Sequence, residues 1–265
     1  VNSADVAVAF AAGTVLATLT APVGVSGAVF LLPVQLDVLG VPSPQVTPTN
    51  LLYNVLAAPG ALLRYRRQGQ LGGDLAGRLL AGTLPGVVVG AVARVVLVPD
   101  LRAFRLLAAA VLGPLGIWLL VRAGARPGPR RDRPPSPFTP STLTAIALAT
   151  GVVGGLYGIG GGSILSPVLV AAGYGVVRVA PAALAATWVT SVVGIAVYLV
   201  LAAAGVGDAE SPDWSVGLAA GAGGLVGGTI GARLQPKLPE RLLRAGLGGL
   251  AVALAVAYVV LAWRA

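Results

Sequence analysis

The residues with the clearest capacity for chemistry are Gly158-Ile159-Gly160-Gly161-Gly162-Ser163, followed by Pro167, and a looser copy, Gly24-Val25-Ser26-Gly27, followed by Pro33. Both lie inside long apolar stretches. Glycine takes unusual backbone angles at little steric cost, so such a cluster lets a helix unwind locally. Unwound backbone is tolerated inside a bilayer only beside a cavity or against other protein. A helix that restarts near Gly161 presents free N–H groups and the positive end of its dipole, which together attract an anion. Ser26 and Ser163 add hydroxyl donors. Close helix packing through small residues is the competing reading. It suits scattered glycines such as Gly223, Gly224, Gly227 and Gly228 better than it suits the GIGGGS run. A nucleotide-phosphate loop is excluded because no Gly-Lys-Ser/Thr follows, and a dinucleotide fold because the preceding Ser141 to Tyr157 reads as helix, not strand.

A second polar cluster comprises Thr47, Thr49, Asn50 and Asn54, with Thr187, Thr190 and Ser191 at the related place later in the chain. Side chains of this kind within apolar helices bond a neighbouring helix or their own backbone. Alternatively they stand around the glycine breaks as neutral donors for an oxyanion that must bind and then leave. Arg64, Arg66 and Arg67 read as a solvated rim, placed to gather anions at a mouth. Trp118, Tyr198, Trp214, Tyr258 and Trp263 fall near predicted helix ends and are expected to be interfacial anchors. Cysteine and histidine are both absent, which removes disulfides, thiol redox chemistry, Cys/His metal sites and any histidine base. No carboxylate pair or serine–base arrangement stands out, so neither an enzyme nor a cofactor is expected.

The elements that position these residues follow from hydropathy. Of 265 residues, 56% are hydrophobic and 10% charged, and mean hydropathy is +0.89. An ordinary globular chain carries about 25% charged residues. Apolar stretches lie near 5 to 22, 27 to 40, 46 to 63, 75 to 98 and 101 to 121, then near 141 to 157, 161 to 173, 180 to 204, 214 to 234 and 239 to 262. Several reach the roughly 20 residues that cross a bilayer as helix. The expected fold is an all-α polytopic membrane protein. The first apolar segment lacks a basic leader and is read as part of that fold. The net charge of +9 suits an anionic solute or anionic lipid. Nucleic acid does not suit a bundle of this hydrophobicity.

The plan repeats. Residues 1–121 and 138–265 are expected to be two related transmembrane halves, joined by an Arg/Pro-rich linker at 122–137 whose prolines and like charges oppose packing. Gly24, Gly27 and Pro33 recur as Gly158, Gly161 and Pro167 at one constant spacing of 134 residues. Farther on, Ala93-Arg94 recurs as Ala232-Arg233 and Pro99-Asp100 as Pro239-Glu240, at spacings of 139 and 140. Each half opens with a region too long for one crossing, either a re-entrant hairpin or two short spans, and adds three full helices. Each half then crosses an odd number of times, so the halves are inverted repeats. Basic residues fall mostly on the linker side and Asp5, Asp37, Asp208, Glu210 and Asp213 on the other, with Arg94, Arg102 and Arg105 as exceptions. The positive-inside rule places the linker in the cytoplasm.

The GIGGGS-x-x-x-Pro run with its weaker copy, the Val46-Thr47-Pro48-Thr49-Asn50 stretch and the Leu63-Arg64-Tyr65-Arg66-Arg67-Gln68-Gly69 segment together resemble the sulfite exporter TauE/SafE family. The likeness runs over nearly the whole length. It implies a duplicated transporter of the bacterial inner membrane that moves sulfite, organosulfonates or related sulfur oxyanions. Gly158, Gly160, Gly161 and Gly162 match the family's glycine motif, and Thr49-Asn50 stands where Thr-Ser is usual. The first-half motif is eroded to GVSG, and the second Thr-Ser is displaced into Ala186-Thr187-Trp188-Val189-Thr190-Ser191. The expected partners are a small anionic substrate and the lipid bilayer. A passive anion channel and an importer of another small organic anion remain open as alternatives, as does a homodimer.

Overall fold

The computed structural model describes residues 2–71, 74–97, 100–124, 138–172, 174–237 and 239–264. From residue 125 onward the predicted linker lies outside the described residues, as does Pro99. Ten α-helices are described: α1 (Ser3–Thr20), α2 (Ala28–Pro33), α3 (Ser43–Arg67), α4 (Leu75–Leu97), α5 (Leu101–Gly124), α6 (Pro140–Tyr157), α7 (Gly162–Ala171), α8 (Val176–Ala203), α9 (Trp214–Leu234) and α10 (Glu240–Arg264). Six of the described helices are long and apolar enough to cross a bilayer, namely α1, α4, α5, α6, α8 and α9. The chain is an all-α polytopic membrane protein.

Local chemistry sets where these helices begin. Asn2 and Asp5 form a reciprocal capping box at the head of α1. Asp213 accepts from the Val216 N–H at 3.0 Å to start α9, and Thr139 with Pro140 at the first helical position starts α6. By contrast α3 is missing from the apolar set because Thr47, Thr49, Asn50 and Asn54 dilute its hydropathy. All four are buried, so α3 faces protein and not lipid.

Neighbouring contacts fix the helix directions. Along α1 and α9, Phe10, Thr14 and Thr18 meet Gly223, Gly227 and Gly231 in the same order, so the two run parallel. Leu52, Leu56 and Ala61 of α3 meet Gly217, Gly221 and Gly228 of α9 in the same order. Similarly, Gly82, Gly86 and Gly90 of α4 lie against Ala147, Gly151 and Val152 of α6. Val87 and Val95 of α4 lie against Gly194 of α8 and Gly207 just beyond it. Between α3 and α8 the order reverses: Leu51 meets Gly194, while the Trp188 indole N–H donates to Val55 O at 3.1 Å. Hence α1, α3 and α9 start at one face of the bundle, and α4, α6 and α8 start at the opposite one.

Because α1 and α3 start at the same face, the chain must return between them, and α2 with the π turn Val34–Val38 makes that return. The opening region is a hairpin that begins and ends at one face. The same holds for α6, α7 and α8. One face of the bundle carries Asp5, Asp37, Asp208, Glu210 and Asp213, and the other carries Arg64, Arg66, Arg67, Arg178, Arg233 and Lys237. These are termed the acidic face and the arginine face. The three arginines that break the pattern are engaged locally. Arg105 pairs with Asp37 at 2.5 Å. Arg94 donates to Ser43 O at 2.9 Å and lies over the Phe104 ring at 4.7 Å. Arg102 lies over Trp263 at 5.5 Å.

Two of the predicted interfacial anchors are core residues instead: Tyr198 and Tyr258 are each 1% exposed. Trp214 and Trp263 are exposed, as an anchor requires. The scattered glycines of α9 serve close packing, for a Cβ on Gly223 or Gly227 would strike the Phe10 or Thr14 backbone carbonyl of α1. Gly227→Leu is therefore expected to force α1 and α9 apart and cost about 3 kcal/mol of stability. A thermal melt of the detergent-solubilised protein, read against Gly246→Leu where nothing crowds the glycine, checks this.

Candidate functional site

Both hairpins break in the same way. After α1, Ala21–Val23 tighten into a 3₁₀ turn and Gly24 takes the left-handed conformation at φ +72°, its N–H donating to Ala21 O. After α6, Gly158 is left-handed at φ +69° and donates to Gly154 O. A residue with a Cβ is strained in that region, so each break requires glycine at its first turn. Ser26 and Gly160 then lead into α2 and α7.

The two breaks meet each other. Ser26 N–H donates to Ser163 Oγ at 3.3 Å, and Ser166 Oγ donates to Val23 O at 2.8 Å. Helix α3 supplies the amides that bind the breaks together. Asn50 Nδ2 donates to Ala28 O at 3.0 Å and to Tyr157 O at 3.3 Å, one carbonyl from each hairpin. Asn54 Nδ2 donates to Gly158 O at 3.1 Å while its Oδ1 accepts from the Ser26 hydroxyl. From α8, Thr190 Oγ1 accepts from Gly161 N–H at 3.3 Å, and Thr187 Oγ1 stands 3.4 Å from Ser163 Oγ. Ser163 Oγ itself donates to Ile159 O at 2.7 Å. Every one of these side chains is buried.

Of the predicted residues, Gly24, Ser26, Gly27, Asn50, Asn54, Gly158, Gly160, Gly161, Gly162, Ser163, Thr187 and Thr190 converge here. Ser191 is buried on α8, and its hydroxyl has no hydrogen-bond partner among the described residues. Thr49 points elsewhere: its Oγ1 donates to Gln45 O at 2.7 Å and accepts from Asp213 N–H at 2.8 Å, at the acidic face where α9 begins. Arg64, Arg66 and Arg67 lie at the end of α3 on the arginine face, with Arg66 and Arg67 exposed.

A cavity of about 20 Å³ opens beside the junction, lined by Thr20, Ser26, Gly27, Tyr53, Asn54 and Thr187 with alanines of α1 and α3. This is room for about one water molecule. Thr20 Oγ1 and Tyr53 OH line it, are 1% exposed each, and have no hydrogen-bond partner among the described residues. A buried hydroxyl left unpaired costs about 1–3 kcal/mol. Neither was legible as a site residue, because threonine and tyrosine in an apolar helix ordinarily find neighbours. Tyr53 does fall between Asn50 and Asn54, which was the available signal. A much larger cavity of about 660 Å³ lies between α5 and the α6–α7 hairpin. Val111, Val153, Ile164 and Val168 give it a mostly apolar wall, in which the Thr150 hydroxyl already donates to Ala147 O at 3.1 Å.

Two interrupted helices that meet beside a small cavity edged by a few hydroxyls and one amide, inside a bundle of membrane helices, are the build of a membrane transporter. The chain belongs to the sulfite exporter TauE/SafE family, whose model matches residues 8–258. That is a family of membrane transporters for sulfite and related sulfur anions. No curated protein and no solved structure matches the chain.

Proposed function

We propose that this protein is a secondary transporter that exports sulfite or a small organosulfonate across the bacterial inner membrane, holding the anion where the two helix breaks converge. The observation that carries the reading is the cavity with two buried hydroxyls unpartnered among the described residues, Thr20 and Tyr53, beside Ser26 and Gly27 where α2 restarts. Ser26, Asn54 and Thr187 complete a set of neutral donors and acceptors with no charge among them. Neutral donors hold an oxyanion without trapping it. Because the cavity admits only about one water, its walls must separate for the anion to enter, which favours alternating access over an open channel.

We also infer that residues 1–121 and 138–265 are inverted repeats. Counterpart helices α3 and α8 run antiparallel, and contacts repeat when the halves are exchanged. A Cβ on Gly24 would meet Ala180 of α8, and one on Gly158 would meet Thr47 of α3. With the arginine face and the linker in the cytoplasm by the positive-inside rule, Arg64, Arg66 and Arg67 gather anions on the side from which they leave. Moving one charge through 100 mV is worth about 2.3 kcal/mol, so a dianion leaving an inside-negative cell gains about twice that. Export then runs on the potential alone.

The test is flux from proteoliposomes loaded with sulfite, sulfate, sulfoacetate or taurine at a set potential. Potential-driven efflux of sulfite or a sulfonate that exceeds sulfate efflux is the expected result. Efflux that needs a proton gradient at zero potential overturns the uniport mechanism, and no efflux of any of the four overturns the substrate class.

A further inference from the structure

The two breaks share a feature that the anion site does not use. Tyr65 OH donates to Ala21 O at 3.0 Å, and Tyr198 OH donates to Gly155 O at 3.0 Å. Ala21 and Gly155 each stand three residues before the left-handed glycine of their break, Gly24 and Gly158. The tyrosines lie on the corresponding helices α3 and α8, toward their C-terminal ends. Both are fully packed, Tyr65 at 0% and Tyr198 at 1% exposure. A buried tyrosine hydroxyl usually takes a partner, and these two take carbonyls at equivalent places in their hairpins.

That carbonyl matters mechanically. Carbonyls at a helix end lose their regular ladder, and a side-chain donor there, which in the first break shares Ala21 O with the Gly24 N–H, ties the end of the helix to whatever carries the donor. Tyr65 ties the break after α1 to α3, and Tyr198 ties the break after α6 to α8. The ties face opposite ways. Tyr65 sits among Arg64, Arg66 and Arg67 at the arginine face, clustered with Ala21, Ala61 and Leu184, which also wall the cavity. Tyr198 clusters with Leu51 and Val95 toward the acidic face, where α8 ends.

We propose that Tyr65 and Tyr198 are paired positioning residues, each holding one break closed against its own face, and that transport releases them one at a time. The proposal rests on the transporter reading above but needs no particular substrate. Freeing Tyr65 opens the cavity toward the arginine face while Tyr198 still seals the acidic face, and the reverse holds for freeing Tyr198.

The chain has no cysteine, so a single introduced thiol reports without background. Ala58 lines the cavity. The experiment labels the Ala58→Cys protein with a membrane-impermeant thiosulfonate, applied from either side in right-side-out and inside-out vesicles. Tyr65→Phe is expected to speed labelling from the arginine face alone by about tenfold, the shift that one hydrogen bond of ordinary net strength supplies. Tyr198→Phe is expected to speed labelling from the acidic face alone, and the double variant from both. Equal acceleration from both faces by either single variant, acceleration from the wrong face, or no change overturns the proposal. If Tyr65→Phe fails to fold, the Tyr198→Phe arm decides alone. Loss of folding in both assigns the tyrosines to plain packing and likewise overturns it. Absence of sulfite flux in the parent protein, by contrast, refutes the substrate reading and leaves the labelling result standing.

Discussion

Gly162→Ala is expected to abolish transport while leaving the protein in the membrane. Gly162 is the first residue of α7, the half-helix whose Ser163 accepts from the Ser26 N–H of the other break. A Cβ there would drive into the Ala183 backbone carbonyl of α8, with Thr187 Oγ1 only 2.7 Å away. A backbone carbonyl cannot rotate aside as a side chain does, so α7 must move off α8. That displacement breaks the approach of Thr187 to Ser163 and the Thr190 bond to Gly161 N–H, the two links that seat the restart. Overpacking of this kind costs about 3 kcal/mol, and a misplacement near 1 Å at a reacting or binding centre costs about 100-fold in rate. Gly175→Ala, at the head of α8 where nothing crowds the glycine, is the matched control. Initial anion efflux from proteoliposomes, normalised to protein reconstituted, gives the comparison. Efflux by Gly162→Ala within twofold of the control rules out a role for this close approach.

The sequence made some of this site legible and hid the rest for identifiable reasons. Glycine runs inside apolar stretches exposed both breaks, since glycine is costly in an uninterrupted helix. Charge and proline punctuation placed all ten helices. The polar cluster was legible as a cluster but not by face. Asn50 and Asn54 stand four apart, one above the other on α3, and both reach the breaks. Thr49 is adjacent to Asn50 in sequence, so it projects about 100° around the helix and reaches Asp213 instead. Helical periodicity alone could have separated it. Tyr65 and Tyr198 were harder, because where a tyrosine hydroxyl goes is decided by tertiary packing. Their spacing of 133, one short of the 134 that relates the glycines, was the trace they left.

Asn54→Asp is expected to remove transport more completely than Asn54→Ala, although aspartate has nearly the shape of asparagine. Asn54 is 1% exposed, lines the cavity, and gives one donor to Gly158 O while accepting from the Ser26 hydroxyl. Alanine removes both bonds and leaves the Gly158 carbonyl short of a partner, at about 1–3 kcal/mol. It adds no charge, so the anion still enters a neutral cavity and flux falls only in part. Aspartate instead sets a carboxylate oxygen against Gly158 O and a negative charge in the cavity wall. Two like charges about 4 Å apart repel by about 4 kcal/mol at an effective dielectric near 20, more than the roughly 2.7 kcal/mol that a 100-fold loss requires. The difference reverses in acid. A protonated carboxyl is neutral and has an O–H to donate, which restores the bond that the amide made to Gly158 O. Efflux by Asn54→Asp should therefore rise as pH falls, while efflux by Asn54→Ala should not respond in that sense. The measurement is potential-driven sulfonate efflux across a pH series, because a strong-acid sulfonate keeps its own charge throughout. An aspartate variant that matches the alanine variant at every pH means that Asn54 serves structure alone and does not face the transported anion.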